Sequence, residues 1–190
     1  MLKNIQRILL MEALLVFLLP VTAAYSQTVN RELQHMNTSY ALQYLQKAAE
    51  LYSDANYAEA LEYVEKGMTF DDSFADFFYL KAQCLIQLNG ARAQSLDAAE
   101  TALTSGLQLR IYNRDNLVLL LARLYTETER YSEAIRVLDS LAFDSADRDF
   151  YHAAALYGLG RDGQARDVIE TALTRWSFDV RFPRLFFLQE

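Results

Sequence analysis

NLVLLLARLYTETERYSEAIRVLDSL, residues 116–141, is the stretch that decides the fold. The polar segment TETERYSEA near its middle predicts a tight turn between two helices. Ala122 and Ala134 indicate where the two antiparallel helices approach most closely. A larger side chain at either position would push the helices apart. The apolar residues of each half recur with the 3.6-residue period of an amphipathic helix, at Leu121, Ala122 and Tyr125 in the first and at Ala134, Leu138 and Leu141 in the second.

The composition favours helices and limits the classes of partner. The chain has 190 residues, of which 52% are hydrophobic, with only 6 Gly and 2 Pro, which disfavours a turn-rich β-sandwich. Its net charge of −7 offers no basic stripe for phosphate groups, so a nucleic-acid partner is not expected. Cys84 is the single cysteine, so no internal disulfide can form.

The N-terminus has the pattern of a secretory signal. Lys3 and Arg7 precede an apolar run, Ile8–Leu19, and small residues follow it. We predict a signal peptide over residues 1–26, cut after Ser26 or alternatively after Ala24, and export, most simply to a bacterial periplasm. The alternative is an uncleaved membrane anchor, although the run is shorter than the ~20 residues of a spanning helix.

The pattern of residues 116–141 recurs along the chain. Alanines that align in the second helix of each predicted pair are 39, 35 and 31 residues apart, and a helix-pair repeat of this period indicates a solenoid. We attribute the long spacing to extra residues around Asn89–Gln94 and the short one to a trimmed connection around Phe143–Asp149. The aligned alanines are Ala60, Ala99, Ala134 and Ala165.

These repeats divide the rest of the chain. Residues 27–38 are predicted to be a linker or a leading helix, and the cluster Asn37–Ser39 to cap a helix that begins near Ser39. The array occupies residues 39–178, as repeats 39–73, 74–113, 114–146 and 147–178. Residues 179–190 form an apolar terminal segment. That segment is either a last helix that packs onto the fourth repeat or the start of a further repeat.

The repeats resemble the tetratricopeptide repeat. The resemblance covers about residues 39–175 and implies an all-α, right-handed solenoid of about four antiparallel helix pairs, while other helix-pair repeats remain an alternative. The proline that usually closes each repeat is absent, and Asp72 stands there in the first. The matching residues are Tyr44, Ala48, Tyr57, Ala60, Val64 and Gly67; Phe78, Ala82, Leu85, Ala99, Leu103 and Gly106; Val118, Leu121, Ala122, Tyr125, Tyr131, Ala134, Leu138 and Leu141; and Ala153, Leu156, Gly160, Ala165, Ile169 and Ala172.

The resemblance implies that the first helix of each pair lines a concave groove. The side chains expected there are apolar and aromatic with one arginine, which suits an extended peptide or an amphipathic helix. The family's basic clamp for peptide carboxylates is not reproduced, because Leu45, Ala49 and Leu120 stand at its positions. The predicted groove residues are Leu42, Leu45, Tyr52, Tyr79, Gln83, Ile86, Leu119, Arg123, Glu127, Phe150 and Tyr157.

The sequence shows no catalytic motif, and we expect neither a cofactor nor a metal. HExxH, CxxC, GxSxG and phosphate-binding glycine loops are absent. Cys84 lies in an apolar helix and is expected to be a buried, inert thiol. Asp144, Asp147 and Asp149 lack the glycine and glutamate of a calcium loop, so helix capping is expected of them.

The sequence thus predicts a non-catalytic scaffold that binds a protein or peptide, with no small-molecule substrate and with membrane contact only through an uncleaved signal. A role in assembling envelope complexes rests on analogy with the family alone. One alternative is the accessory domain of a larger envelope enzyme. Another is a self-associating structural protein in which the tail of one copy lies in the groove of the next.

Overall fold

All regular structure in the described part of the chain is helical. The computed structural model describes residues 2–89, 93–109 and 114–187. The predicted turn at Asn89–Gln94 lies partly outside these residues. The helices are α1 (Leu2–Ser53), α2 (Tyr57–Met68), α3 (Ala75–Asn89), α4 (Ala93–Gln108), α5 (Asp115–Glu127), α6 (Tyr131–Leu138), α7 (Ala146–Gly158), α8 (Asp162–Arg175) and α9 (Arg181–Phe187).

The helices pack in sequential pairs, α1 with α2, α3 with α4, α5 with α6 and α7 with α8. The second helix of each pair also packs on the first helix of the next pair, and α1, α3, α5 and α7 contact one another in series. The first helices therefore form one continuous layer of the array. The predicted all-α fold of about four stacked helix pairs is confirmed.

Alanines allow the close helix contacts. The four aligned alanines of the second helices, Ala60, Ala99, Ala134 and Ala165, have no exposed surface. The first helices carry a matching set of fully buried alanines. Because neither set has atoms beyond Cβ, paired backbones can approach closely without leaving a void. This second set is Ala48, Ala82, Ala122 and Ala153.

Helix α3 is buried on two sides because it lies between α2 of the first pair and α4, its partner in the second pair. Phe77 is fully buried against the first pair, where a Cβ added at Gly67 would lie 2.5 Å from its ring. Phe78 lies on the side of α4, where a Cβ at Gly106 would lie 2.8 Å from the Phe78 Cβ. Both glycines thus make room for an aromatic side chain of α3. The sequence predicted Phe78 in the core and missed Phe77.

The turns within the first, third and fourth pairs share one conformation. A residue with positive φ follows the first helix: Ala55 (61°), Glu129 (61°) and Gly160 (68°). The next backbone N–H donates back to the carbonyl five residues earlier, which is the hydrogen bond of a Schellman motif. These bonds are Asn56 to Leu51 at 2.9 Å, Arg130 to Tyr125 at 2.8 Å and Arg161 to Leu156 at 2.9 Å.

Unequal helix lengths cause the unequal repeat spacings. Ala99 is the seventh residue of α4, whereas Ala134 is the fourth of α6, so α4 has an extra N-terminal turn. The short spacing arises because α6 has only 8 residues, while the connection over residues 139–145 is not shortened. The predicted trimmed connection is therefore wrong, and the chain is shortened within a helix.

Two predicted boundaries are also wrong. Helix α1 continues through residues 37–39 without a break, and Thr38 Oγ1 donates to Asp71 Oδ2 at 2.8 Å instead of capping a helix. Residues 27–38 are thus helical. In the fourth pair the turn precedes Asp162, because α8 already begins there. Gly160, rather than Gly163, supplies the positive φ of that turn.

The predicted capping by the three aspartates near α7 is wrong. Ser145 is the N-cap, and its side chain accepts a hydrogen bond from the Arg148 N–H at 3.1 Å. The side chains of the aspartates instead form ion pairs and a hydrogen bond with Arg175, Trp176 and Arg181, near the C-terminus. Asp144 pairs with Arg148 and Arg175, each at 2.8 Å, Asp147 pairs with Arg181 at 2.6 Å, and Asp149 accepts from Trp176 Nε1 at 2.9 Å.

Helix α9 packs onto the fourth pair, as one of the two interpretations of the tail expected. It contacts α7 and α8, and Phe182 is fully buried between them. The Phe182 ring meets the edge of Phe150 with 6.3 Å between ring centroids. Phe182 and Leu185 therefore extend the core of the array.

We predict opposite effects of one substitution at two nearby glycines. Gly160→Ala should lower the free energy of unfolding by ~1 kcal/mol, because its φ of 68° is strained for any L side chain. Gly163→Ala should raise it by roughly 0.5 kcal/mol, because Gly163 is helical and a methyl group there meets nothing within 4 Å. Urea denaturation followed by circular dichroism measures both. Shifts of the same sign would contradict the turn geometry.

We further predict that Ala134→Trp unfolds the third helix pair, since a contact between two fully buried alanines cannot admit an indole. Ser132→Trp adds the same ring on an exposed face of α6 and serves as the control. Thermal melts compare the two. An unchanged midpoint for Ala134→Trp would refute the register of the repeat.

Candidate functional site

A small polar cavity lies at the centre of the layer of first helices. Its volume is about 150 Å³, and side chains of α3, α5 and α7 enclose it. We call it the Arg123 pocket. Its lining residues are Tyr79, Gln83, Asn116, Leu119, Leu120, Arg123, Asp147 and Tyr151.

Arg123 is the central cation of the pocket. Its Nε donates to Glu127 Oε1, one turn later on α5, at 2.7 Å. This hydrogen bond raises the pKa of Arg123 and burial opposes it, so the guanidinium stays charged. The other guanidinium N–H groups have no partner among the described residues. Arg123 can therefore donate several hydrogen bonds to a bound molecule.

Three tyrosines from three different pairs surround Arg123. Tyr79 and Tyr151 line the pocket, and burial raises the pKa of both hydroxyls while the charge of Arg123 lowers it. Tyr52 of α1 is also near enough for the Arg123 charge to affect its pKa, which burial raises. All three phenols thus remain protonated near neutral pH and can donate hydrogen bonds.

Two amides extend this set of polar groups. Gln83 Nε2 donates to Tyr79 Oη at 3.2 Å, which leaves the Tyr79 hydroxyl proton free to face the pocket. Asn116 lines the pocket from α5, one turn before Leu120. The pocket therefore combines aromatic faces with hydrogen-bond donors, a composition that is common at protein-binding hot spots.

The structure brings together four of the predicted groove residues, Tyr79, Gln83, Leu119 and Arg123, in one pocket. Tyr52 and Glu127 lie beside it through their interactions with Arg123. Leu42 is 46% exposed on α1, whereas Leu45 and Ile86 pack against the cores of the first and second pairs. Whether any of these residues binds a partner remains a prediction.

The two residues predicted for the fourth pair lie elsewhere. Phe150 packs on Phe182, and the Arg181 guanidinium lies 5.0 Å from its ring centroid, so α9 covers it. Tyr157 is 9% exposed and belongs to the core of the fourth pair. Neither lines the pocket, because the positions predicted for α7 differ by one residue from those that face the pocket. Asp147 and Tyr151, four residues apart, take that place.

Helix α9 reaches the edge of the pocket. Arg181 joins Asp147, which lines the pocket, to Asp179 in the preceding turn, with both contacts at 2.6 Å. Asp147 is therefore neutralised within the chain. The carboxylates near the pocket all have a cationic partner, which leaves the donors of Arg123 and the tyrosines to face a ligand.

The other reactive groups of the described residues form no second site. Burial raises the pKa of the Cys84 thiol to about 11, and the side chain has no exposed surface, in agreement with the expected inert thiol. Burial lowers the pKa of His152 on α7. Within the described ranges there is no group of three or more His, Cys, Asp or Glu side chains that could hold a metal ion. The same part of the chain has no helix that is both long and apolar enough to cross a membrane.

Comparison with known proteins supports the fold and leaves the activity open. No family model matches the chain. An uncharacterized protein of Treponema pallidum (strain Nichols) is 35% identical over 143 residues, which are 75% of this chain and 18% of that protein. The chain thus spans less than a fifth of the length of this relative.

Two solved structures of MamA are similar in fold. One is the MamA RS-1 ArsTM double mutant, and the other is MamA from residue 41 to its end from Desulfovibrio magneticus RS-1. Each has a TM-score of 0.65 and covers 75% of this chain and 79% of its own, at 15% and 16% identity respectively. This likeness agrees with the stacked helix pairs described above, and the fold is an all-α solenoid of the tetratricopeptide type.

Proposed function

We propose that this protein is a non-catalytic scaffold that binds an extended peptide or an amphipathic helix of a partner protein along its layer of first helices. The observation that carries this proposal is the Arg123 pocket, to which three helix pairs contribute side chains. A site assembled from several repeats can contact a ligand that is several residues long. Small molecules are poorer candidates, because the cavity of about 150 Å³ is far below the ~300 Å³ of typical small-molecule sites.

The chemistry of the pocket suits a peptide. Tyrosine and arginine offer large contact areas and several hydrogen bonds at a low cost in side-chain entropy. Donors from Arg123, Asn116 and the tyrosines match the carbonyl groups of an extended backbone, and Leu119 supplies an apolar contact. Burying three or four such side chains yields roughly 5–10 kcal/mol before the cost of ordering, so a weak complex is expected once that cost is subtracted.

The test selects peptides from a phage-displayed random library on the immobilised full-length chain and measures the enriched peptides by fluorescence anisotropy. We expect Tyr79→Ala with Leu119→Glu to weaken binding at least ~30-fold, because the double variant removes an aromatic contact and adds a charge to the pocket.

The matched control is Phe143→Ala with Leu88→Glu, which makes similar changes at exposed residues outside the pocket. Both variants should keep the helical circular dichroism of the wild type. Failure to enrich any peptide, or equal loss in both variants, would refute the proposed groove.

A second candidate is an interaction domain within a much longer protein, as in the accessory-domain alternative. The observation that favours it is the relative from Treponema pallidum, of which this chain matches only 18%. In that case the groove would bind a segment of the same polypeptide or of its partner enzyme. Sequencing the transcript across the codon for Glu190 tests this, and a reading frame that continues beyond it would support the second candidate.

We also propose export, with residues 1–26 as the signal. The support is the sequence pattern of Lys3, Arg7 and Ile8–Leu19, because the side chains of these residues lie outside the described part of the structure. Removal of residues 1–26 would leave α1 as residues 27–53, which contain the residues of α1 that the structure describes as buried, Ala41, Ala48 and Leu51. Intact-mass spectrometry of the protein from the envelope fraction should find a chain that begins at Gln27. A full-length mass in the cytosolic fraction would contradict export.

A further inference from the structure

An apolar stripe on α1 is largely exposed to solvent. From Gln27 to Asn37 every described side chain is exposed, and Ala41 is the first residue after them that is buried. Four large apolar residues nevertheless lie on one side of this extension, within about 60° of one another at 100° per residue. They are Val29 (37% exposed), Leu33 (46%), Met36 (49%) and Tyr40 (44%).

The spacing of the stripe is that of a coiled coil. Its residues are separated by four, three and four positions, which is the alternation of a and d sites in a heptad. The face of α1 that packs on the solenoid adjoins the stripe, since Ala41 and Ala48 lie about 90° from it whereas buried Leu51 has the same helical angle as Leu33. In the α1 extension the stripe is exposed, and its period suits contact with another helix.

The stripe continues onto the body of the protein. The Tyr40 ring lies 5.5 Å from that of Phe70 in the α2–α3 connection, and Phe70 stacks on Tyr44 at 5.4 Å. Phe70 is itself 37% exposed. A helix that covers the stripe would thus also cover Phe70, which enlarges the contact beyond the α1 extension.

Charge favours a second copy of this chain as the occupant. The chain carries −7 overall, but residues 27–40 hold one arginine, Arg31, and one glutamate, Glu32, so this segment is neutral. The positions that flank the stripe are Asn30, Glu32, Asn37 and Ser39, of which only one is charged. Two copies can therefore meet here with little of the repulsion that acts between the rest of their surfaces.

Other occupants fit less well. A membrane surface attracts helices with a strongly basic polar face, and here Arg31 is balanced by Glu32. Helix α9 is engaged at the other end of the array, where Phe182 is fully buried against α7 and α8. The 4-3-4 spacing is also that of a helix that pairs with another helix.

We propose that two copies of this chain dimerise by coiled-coil pairing of the apolar stripe Val29, Leu33, Met36 and Tyr40. The dimer would present two Arg123 pockets from one assembly and so increase the avidity for a repeated or dimeric partner. The contact is independent of the pocket, which lies on the first helices of the later pairs.

The test is sedimentation velocity of the full-length chain from low to high micromolar concentration. Wild-type protein should shift from the monomer mass to twice that mass. Leu33→Glu with Met36→Glu should raise the dimer dissociation constant at least ~100-fold, because it buries two unpaired charges in the contact. Gln34→Glu with His35→Glu adds the same charge on the opposite side of the helix and should leave dimerisation unchanged.

Two kinds of result would overturn the proposal. The first is that the wild-type chain stays monomeric at every concentration measured. The second is that the stripe variant and the control variant associate equally, which would place the contact outside the stripe. Circular dichroism verifies that both variants fold, as expected for substitutions at exposed residues. Peptide binding to the Arg123 pocket is measured separately, at protein concentrations below the dissociation constant of the dimer. The two proposals can therefore fail independently.

Discussion

Close packing of antiparallel helices at buried alanines is the contact on which the structure depends. Ala48, Ala82, Ala122 and Ala153 in the first helices and the four aligned alanines in the second have no exposed surface. Each allows two backbones to approach to a distance that any larger residue would prevent. Gly67 extends this principle to the contact between the first and second pairs, where it makes room for the Phe77 ring, and Gly106 does the same for Phe78 within the second pair.

The same contacts position the candidate site. Because the first helices stack at a regular spacing, side chains from α3, α5 and α7 meet around Arg123 although they are distant in sequence. The ion pair of Arg123 with Glu127 holds the guanidinium in place. A further tie between pairs comes from Glu100 of α4, which accepts from Tyr125 Oη at 2.8 Å and from Arg130 Nη1 at 2.5 Å. The pocket is thus a property of the array, and no single pair contains it.

Sequence reasoning predicted the elements with a strong local signal. The small residues at helical spacing gave the four pairs, and the polar breaks located most turns. It failed where tertiary contacts decide. Nothing local distinguishes Phe77 from Phe78, since both sides of α3 are buried. In α7 the three aspartates suggested a cap, but their real partners are Arg175, Trp176 and Arg181, about 30 residues away. From the repeat register, Phe150 was predicted to face the groove, whereas Tyr151 lines the pocket. Residues 27–38 were predicted to be a linker or a leading helix, and they are helical. The predicted cap at residues 37–39 is wrong, because Asn, Thr and Ser are typical N-cap residues but here lie within a continuous helix.

The central claim is that the first helices hold a partner at the Arg123 pocket. Site-specific photocrosslinking tests it most directly, with benzoylphenylalanine placed at Tyr151 of the full-length chain and, as a reference, at exposed Phe143. The probe is a synthetic peptide enriched by display selection on the wild-type chain. The account predicts a crosslinked product from position 151 that unlabelled peptide competes away, and none from position 143. Crosslinking from position 143 alone, or from both positions equally, would show that the partner binds elsewhere.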